Sequence, residues 1–499
     1  MLKLPHAKHR IYLRIRRKSL YPVTVNDWTT MEAQLFCVLL SIDGSFFVFI
    51  GGLARGKGNI MFEKIFKLSS KGTNVKTELL AGLTTFLTMA YILAVNPLIL
   101  GDAGMPANSV FLATAISAAL ASIIMGLLAN YPIALAPGMG VNAFFTYTVV
   151  FGFGFTWQAA LAAVFISGIL FLIVSVTGIR KLVINAIPRQ LKLAIGAGIG
   201  FFIAFIGLKN AGFIVANEAT FVSLGNLKDP VVLLAVFGIL VTLALIAKKV
   251  KAAVFYGLVI TAVVGIALGL AGIEGMPAAP AFTDFANLDF SMPTLGAFIS
   301  GFDELFANPK WLVVIFSFLF VDFFDTAGTL VAVANRTNLV NEEGELENVE
   351  RALLADAIGT VAGAALGTST VTSYIESTAG VEVGGRTGLT SVTTGVLFLL
   401  SVVLMPLLVS VNSTVTAPAL IVVGILMAQQ LGGIEWDDFI SASSGFVAII
   451  TMILTYSISD GIAFGFITYA IAMLAAGRGK EVKPAIWALL LVFIAYFAV

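Results

Sequence analysis

Apolar stretches long enough to cross a membrane recur along almost the whole chain. A transmembrane helix needs about 20 predominantly apolar residues to span a ~30 Å hydrocarbon core. Two further stretches, 132–150 and 367–383, are apolar but are interrupted by Gly, Pro and Thr. The pattern predicts an all-α polytopic membrane protein that contains two broken segments. The uninterrupted stretches lie at 79–100, 107–128, 156–177, 191–215, 230–247, 251–271, 311–334, 349–366, 388–410, 416–432, 442–457, 461–476 and 485–499.

Composition excludes several other classes of protein. Of the 499 residues, 59% are hydrophobic and 11% are charged, whereas soluble domains carry about 25% charged residues. The net charge of +1 argues against nucleic acid as a partner, since nucleic acid requires a basic face. The chain has one cysteine, Cys37, and two histidines, His6 and His9, all near its start. We therefore expect no disulfide framework, no Cys- or His-based metal site, no cofactor and no enzymatic activity.

Residues 1–60 differ from the rest of the chain, and three interpretations of them stay open. They could be a signal-like segment, an additional transmembrane helix, or an extension upstream of a true translation start at Met61. The last is favoured, because Met61 opens a short amphipathic lead into the first strong apolar stretch. Residues 51–57 match the spacing of a phosphate-binding loop, but Gly58 stands where Ser or Thr would hold magnesium. We reject that motif.

Charge in the loops orients the chain. Segment 272–309 carries five acids and no Lys or Arg, so it is expected outside the cell, because basic residues concentrate in cytoplasmic loops. The basic loops share one side if 132–150 counts as a span. The pattern predicts a multi-pass protein of the cell membrane with a cytoplasmic N-terminus. The basic residues of these loops are Arg180, Lys181, Arg189, Lys192, Lys248, Lys249, Lys251 and Arg336.

The two halves of the chain resemble each other. Residues 167–172 (SGILFL) match 394–399 (TGVLFL) at an offset of 227, and the same offset places Asn142 on Ser369. An odd number of spans separates equivalent positions, so the second half would be inserted upside down. Inverted repeats with matching broken segments indicate a secondary transporter; chance similarity of apolar strings is the alternative. The predicted divisions are an extension at 1–60, repeats at 61–272 and 311–499, and an extracellular loop at 273–310.

Acidic residues within the predicted spans are the strongest functional signal. An ionisable side chain at mid-membrane costs about 2.5–3.5 kcal/mol on insertion scales, so it needs a partner or a task. Asp322 and Asp325 are three residues apart and share a helical face. Two close carboxylates in such a site should not both stay ionised, which suits proton uptake. The structural alternative is a hydrogen bond from Asp322 to a neighbouring helix, and for Asp356 an ion pair with Arg351.

The broken segments supply the other candidate residues. Glu376 follows a Thr- and Ser-rich run, and a helix is expected to begin near it. In the matching run of the first half, Pro137 favours extended backbone before it, and Gly138 and Gly140 allow close approach of a ligand. Two half-helix N-termini would offer N–H donors, and Asn142 adds an amide; a simple kink is the alternative. Aromatic side chains that could stack on a flat ligand are Phe144, Phe323 and Tyr374.

Three motifs carry a resemblance to a known family. Residues 89–97 (MAYILAVNP), 136–143 (APGMGVNA) and 324–329 (FDTAGT) resemble the AzgA-like purine permeases. These form a branch of the nucleobase–cation symporter (nucleobase–ascorbate transporter) family. The resemblance runs from about Met61 to the C-terminus.

The resemblance implies a fold and a function. It implies fourteen segments in two inverted sevens, with a core domain (segments 1–4 and 8–11) and a gate domain (5–7 and 12–14). It implies import of hypoxanthine, guanine or adenine by proton symport, with substrate contacts from Asn142, Asp325 and Glu376. Proton coupling is expected at Asp325, Glu376 and Asp322. A homodimer is possible, and the short last stretch leaves the segment count open.

Two other functions would be compatible with parts of this pattern. An anion or sulfate transporter can share the inverted-repeat architecture, but it would want a basic or neutral centre. An intramembrane aspartyl protease would also use paired aspartates, yet Asp322 and Asp325 lie in one predicted helix and the Gly-x-Gly-Asp signature is absent. A purine nucleobase, a proton and the lipid bilayer are therefore the expected partners.

Overall fold

The computed structural model describes residues 57–177, 188–280, 288–334, 348–409 and 411–498. The predictions for residues 1–56, for Arg180 and Lys181, and for Arg336 lie outside the described residues. Two compact units divide the chain, residues 1–61 and residues 62–499. The following description concerns the second unit, which contains all candidate functional residues.

Helices make up most of the described chain, and they bracket two short strands at the broken segments. The helices of the first half are α1 (Lys57–Phe66), α2 (Val75–Met89), α3 (Ile92–Asp102), α4 (Ala107–Leu128), α5 (Met139–Ala143), α6 (Trp157–Thr177), α7 (Arg189–Asn210), α8 (Pro230–Ala247) and α9 (Ala253–Leu270). Those of the second half are α10 (Phe302–Ala307), α11 (Trp311–Ala334), α12 (Val349–Leu366), α13 (Ser377–Val383), α14 (Gly388–Leu400), α15 (Met405–Val409), α16 (Ser413–Ala428), α17 (Phe439–Leu454), α18 (Ile458–Ala475) and α19 (Pro484–Ala498). The strands are β1 (Leu135–Pro137), β2 (Ile214–Asn217), β3 (Phe221–Leu224) and β4 (Val371–Ser373).

The helices confirm the apolar stretches predicted from the sequence. Four predicted spans, 107–128, 230–247, 311–334 and 349–366, coincide with helices to the residue. Within the described residues, nine helices are long and apolar enough to cross a membrane. The chain is a multi-pass membrane protein.

The first span is a helix with a break at its centre. Asn74 starts it, because its side chain accepts a hydrogen bond from the Thr77 backbone N–H at 3.0 Å. Val75–Asp102 forms one apolar span of 28 residues, which divides into α2 and α3 on either side of Tyr91. Tyr91 lies at this junction, and its hydroxyl reaches Glu376 in the second half of the protein.

The broken segments of the two halves meet as a strand pair. β1 and β4 run antiparallel, with Leu135 opposite Ser373 and Pro137 opposite Val371. The pairing satisfies backbone groups that lipid could not, and this makes extended chain tolerable at membrane depth. The extended stretches predicted in the two broken segments, 132–150 and 367–383, are thereby confirmed.

A hydrophobic cluster supports this strand pair from one side. Leu135 of β1 and Val371 of β4 are fully buried in it, together with Phe171 and Leu353 from the surrounding helices. Burying apolar surface contributes about 25 cal/mol per Å², so the cluster fixes the strands against α4, α6, α11 and α12. The polar groups beyond the strand ends therefore have a rigid base.

Two equivalent helices of the halves, α7 and α16, pack closely through small residues. A Cβ added to Gly200 would lie 2.8 Å from the Gly424 carbonyl oxygen, a separation that real Cβ atoms do not show. Small residues at such a contact let helix backbones approach within a membrane.

Candidate functional site

The strand pair positions two half-helices, one from each half of the chain. β1 leads into α5 and a following π-helical stretch, Phe144–Gly152, and β4 leads through Glu376 into α13. The Gly138 N–H donates to the Thr370 carbonyl at 3.0 Å, and the Tyr374 N–H donates to the Ala134 carbonyl at 3.0 Å. These bonds hold the start of each half-helix beside the opposite strand, as the sequence predicted.

Asn142 lies in the first half-helix with half of its amide unused. Its side chain is fully buried, and its Oδ1 accepts a short hydrogen bond from the Ser369 hydroxyl. Its Nδ2 has no partner among the described residues. A buried donor without a partner is costly, so this NH₂ group is suited to an acceptor brought by a ligand.

Glu376 begins the second half-helix, and its carboxylate is oriented by Tyr91, a residue that was not among the predicted site residues. Its Oε1 accepts a hydrogen bond of 2.7 Å from the Tyr91 hydroxyl, and Tyr91 is 1% exposed. Tyr91 lies at the junction of α2 and α3, so this junction is next to Glu376.

Asp325 completes an acidic group at the same place. The Asp325 and Glu376 carboxylates are near enough to repel each other electrostatically, and the Tyr374 phenol interacts with both. The site therefore places two carboxylates close to the Tyr374 and Tyr91 phenols.

The three aromatic candidates have different surroundings, and the fully buried Phe144 ring packs edge-on against Phe318. The Tyr374 hydroxyl donates to the Pro137 carbonyl at 2.5 Å, across the two broken segments. The Phe323 ring packs edge-on against Phe171, with centroids 5.7 Å apart, inside the hydrophobic cluster beneath the strands. Tyr374 thus links the two broken segments, whereas Phe323 is part of the hydrophobic cluster that packs against the strand pair.

The two glycines of the first broken segment are explained by packing. A Cβ on Gly138 would lie 2.5 Å from Thr372 Cγ2, and one on Gly140 would lie 2.5 Å from Ile199 Cγ2. Both contacts are closer than real Cβ atoms allow. Glycine at these positions lets β4 and α7 approach the start of α5.

A second acidic pair lies deeper, in a reciprocal arrangement that we call the Asp–Thr clasp. Its members are Asp322 and Thr326 of α11 and Asp356 and Thr360 of α12. The Thr360 hydroxyl donates to Asp322 Oδ2 at 2.9 Å, and the Thr326 hydroxyl donates to Asp356 Oδ1 at 2.9 Å. The expected bond from Asp322 to a neighbouring helix is thereby found.

The Asp–Thr clasp also forms hydrogen bonds with strand β4. The Ser373 hydroxyl donates to Asp356 Oδ1 at 3.2 Å, and the Ser373 N–H donates to the Thr326 hydroxyl at 3.2 Å. The partners of Asp356 recorded in the described chain are thus Thr326 and Ser373, where the sequence suggested Arg351. Asp322 Oδ1 and Asp356 Oδ2 are buried and have no partner among the described residues.

A helical membrane protein with two paired half-helices and acids at their meeting point has the architecture of an inverted-repeat transporter. The comparisons agree. Residues 76–491 match the sequence profile of the Permease family (Xan_ur_permease). The chain belongs to this family, which consists of transporters rather than enzymes.

Two relatives align with most of the chain. Guanine/hypoxanthine permease PbuG of Bacillus subtilis (strain 168) is 49% identical over 441 residues, which is 87% of this chain and 98% of PbuG. Adenine permease AdeP of Escherichia coli (strain K12) is 43% identical over 439 residues, or 88% of this chain and 96% of AdeP.

A solved structure shares the fold. The transmembrane domain of a cyanobacterium bicarbonate transporter, BicA, superposes with a TM-score of 0.59 at 16% identity, covering 78% of this chain and 97% of that domain. At 16% identity, the likeness establishes the inverted-repeat fold. It gives no information on the substrate, which must be argued from the residues of the site.

Proposed function

We propose that the chain imports purine nucleobases, namely hypoxanthine, guanine or adenine, by proton symport. The proposal is supported by the proximity of Asp325 to Glu376, which begins the second half-helix, and by the unpaired Asn142 Nδ2 in the first half-helix, which β1 and β4 hold beside the second. The names of the relatives PbuG and AdeP point to the same substrate class.

The chemistry of a purine fits the donors and acceptors of the site. A purine is flat and presents ring N–H groups beside ring-nitrogen acceptors. Asp325 and Glu376 would accept the N–H groups, and the Asn142 Nδ2 would donate to an acceptor such as the exocyclic oxygen. A hydrogen bond to a charged group is worth about 1.5–3 kcal/mol, so two or three together would select purine over pyrimidine.

Proton coupling is assigned to the acids. Asp325 and Glu376 repel each other when both are ionised, so protonation of one of them favours loading of the site. Asp322 is the third coupling residue, because its Oδ1 lacks a partner while it interacts electrostatically with Asp325. Asp322 is too deeply buried, at 1% exposure, to touch the substrate itself.

Transport would follow by alternating access. The proposed core domain contains both broken segments, and the proposed gate domain contains α7 and α16; the core moves against the gate with the purine bound. Repeats at 61–272 and 311–499, a cytoplasmic N-terminus and a homodimer remain parts of this proposal. Uptake then needs an inward proton gradient.

The test is uptake in a bacterial strain that lacks its own purine transporters. Radiolabelled hypoxanthine, guanine and adenine are supplied with and without a protonophore, and unlabelled guanine or sulfate is added as competitor. We expect uptake that guanine competes for and that the protonophore abolishes. Uptake of hypoxanthine that sulfate blocks, or labelled sulfate uptake, would instead support the rival anion transporter.

A further inference from the structure

A cavity of about 260 Å³ lies where α3, α7 and α16 come together, away from the acidic site. Its volume is near the lower end of the ~300–1,000 Å³ of small-molecule pockets, which suits a small ligand. Apolar residues such as Ile99 and Leu420 form part of its wall. Its polar lining consists of Asp102, Asn210, Asn412, Ser413 and Thr416.

The cavity runs along α3 from Val95 to Asp102, and its polar end at Asp102 is the end farther from the acidic site. Tyr91, which holds Glu376, directly precedes α3, and Asp102 ends it. Eleven residues of helix at 1.5 Å each separate the two by about 16 Å. The Asn412 Nδ2 donates to the Gly275 carbonyl at 3.3 Å, which places the cavity on the side of the acidic segment that we expect outside the cell.

The cavity also lies on the boundary that the substrate would cross. Asp102 and Ile99 come from the proposed core domain, whereas Asn210 and Thr416 come from the proposed gate domain. The Thr146 hydroxyl donates to the Ile99 carbonyl at 2.9 Å, and Thr146 lies four residues after Asn142 in the continuous helical stretch. One wall of the cavity is therefore tied to the helix that carries Asn142.

A cluster of Lys209, Tyr147 and Tyr456 is joined to the cavity through Asp102. The Tyr147 hydroxyl donates to Asp102 Oδ2 at 2.7 Å, which leaves an exposed carboxylate with a second oxygen. The Lys209 ammonium lies 5.2 Å from the centroid of the Tyr456 ring and 5.7 Å from that of Tyr147, within cation–π range. The Tyr456 hydroxyl is buried and has no partner among the described residues.

We propose that this cavity is an outer binding site, where the transported nucleobase is captured before it reaches Asn142, Asp325 and Glu376. Asp102 accepts a ring N–H of the nucleobase, and the Asn210 amide bonds to the neighbouring ring nitrogen or oxygen. The Lys209, Tyr147 and Tyr456 cluster joins the two sides of the cavity until the nucleobase moves inward. The inference rests on the proposed function, because it needs a nucleobase as the cargo.

Equilibrium binding of radiolabelled hypoxanthine to the purified full chain tests the outer site. We expect one strong and one weak binding event. Asp102→Ala should remove the weak event and leave the strong one within about twofold, whereas Glu376→Gln should remove the strong event and keep the weak one. Losing a bond to a charged acceptor corresponds to about a tenfold or larger rise in the uptake KM of Asp102→Ala.

Two further variants keep the test decisive. Asn210→Leu fills the cavity and retains Asp102, so it should also raise KM even if Asp102→Ala folds poorly. Asp303→Asn changes an exposed acid away from the cavity and should leave KM unchanged. A single binding event in the unaltered chain, or a KM for Asn210→Leu equal to that of Asp303→Asn, overturns the outer site. Failure of the unaltered chain to bind or transport any purine overturns the proposed function itself.

Discussion

The two acidic pairs of the core differ in what their carboxylates can still bind. Asp322 and Asp356 are at most 1% exposed, and each accepts a threonine hydroxyl from the opposite helix. Asp325 and Glu376 are partly exposed, and among the described side chains Tyr91 alone donates to this pair. Asp322 and Asp325, three positions apart in α11, thus differ in their surroundings. Asp322 bonds to a neighbouring helix, whereas Asp325 is partly exposed.

This difference has a structural cause. The clasp lies on the side of α11 that faces α12 and β4, where every neighbour is fixed by packing. Asp325 lies near Glu376, and both carboxylates are partly exposed. The clasp also leaves Asp322 Oδ1 and Asp356 Oδ2 without a partner among the described residues, but these two atoms are buried. Exposure, rather than the presence of unpaired groups, therefore distinguishes the acidic pair that a ligand can reach.

The largest expected effect comes from neutralising the partly exposed pair. Glu376→Gln and Asp325→Asn should each weaken equilibrium hypoxanthine binding by about ten- to a hundredfold, because each loses a charged hydrogen-bond acceptor. Asp322→Asn is the matched change in the clasp. It should leave purine binding within about threefold but alter the proton dependence of uptake. If Asp322→Asn weakened hypoxanthine binding as much as Glu376→Gln and Asp325→Asn do, the two acidic pairs would not differ in ligand binding.

The next effect concerns stability. Thr326→Val removes the donor to Asp356 and the acceptor for the Ser373 N–H, so we expect a loss of about 1–3 kcal/mol and a lower melting temperature in detergent. Thr84→Val is the control, because the Thr84 hydroxyl bonds to the Leu80 carbonyl of its own helix. A melting temperature of Thr326→Val no lower than that of the control would show that the clasp does not hold the scaffold.

The smallest expected effect comes from the residue that orients Glu376. Tyr91→Phe keeps the ring but removes the 2.7 Å bond to Glu376, so the carboxylate is less well oriented. Hypoxanthine binding should weaken by about three- to tenfold, with a melting temperature close to that of the unaltered chain. Tyr469→Phe, on the distant helix α18, serves as the control for loss of a tyrosine hydroxyl. Unchanged binding by Tyr91→Phe would remove Tyr91 from the site.

The sequence was sufficient to predict the spans and the broken segments. Their physical basis is local, since hydropathy over about 20 residues reports a membrane helix, and Pro137 and the Thr-rich run before Glu376 report extended chain. The meeting of Asn142 with Ser369 also agrees with the repeat offset of 227.

The hydrogen-bond partners could not be predicted in the same way. Tyr91 lies in a motif that supports the family resemblance, yet nothing local indicates that the α2–α3 break directs it to Glu376. Asp356 has Arg351 nearby in sequence, but its recorded partners come from α11 and β4. Such partners depend on which helices are neighbours, and apolar periodicity within a membrane carries little of that information.

Purine–proton symport is most directly tested in proteoliposomes that contain a pH-sensitive dye. An inward gradient of hypoxanthine should acidify the lumen with the unaltered chain, and the acidification should be lost with Asp325→Asn. Uptake of labelled hypoxanthine without any change of lumen pH, or acidification that persists unchanged with Asp325→Asn, would contradict the account.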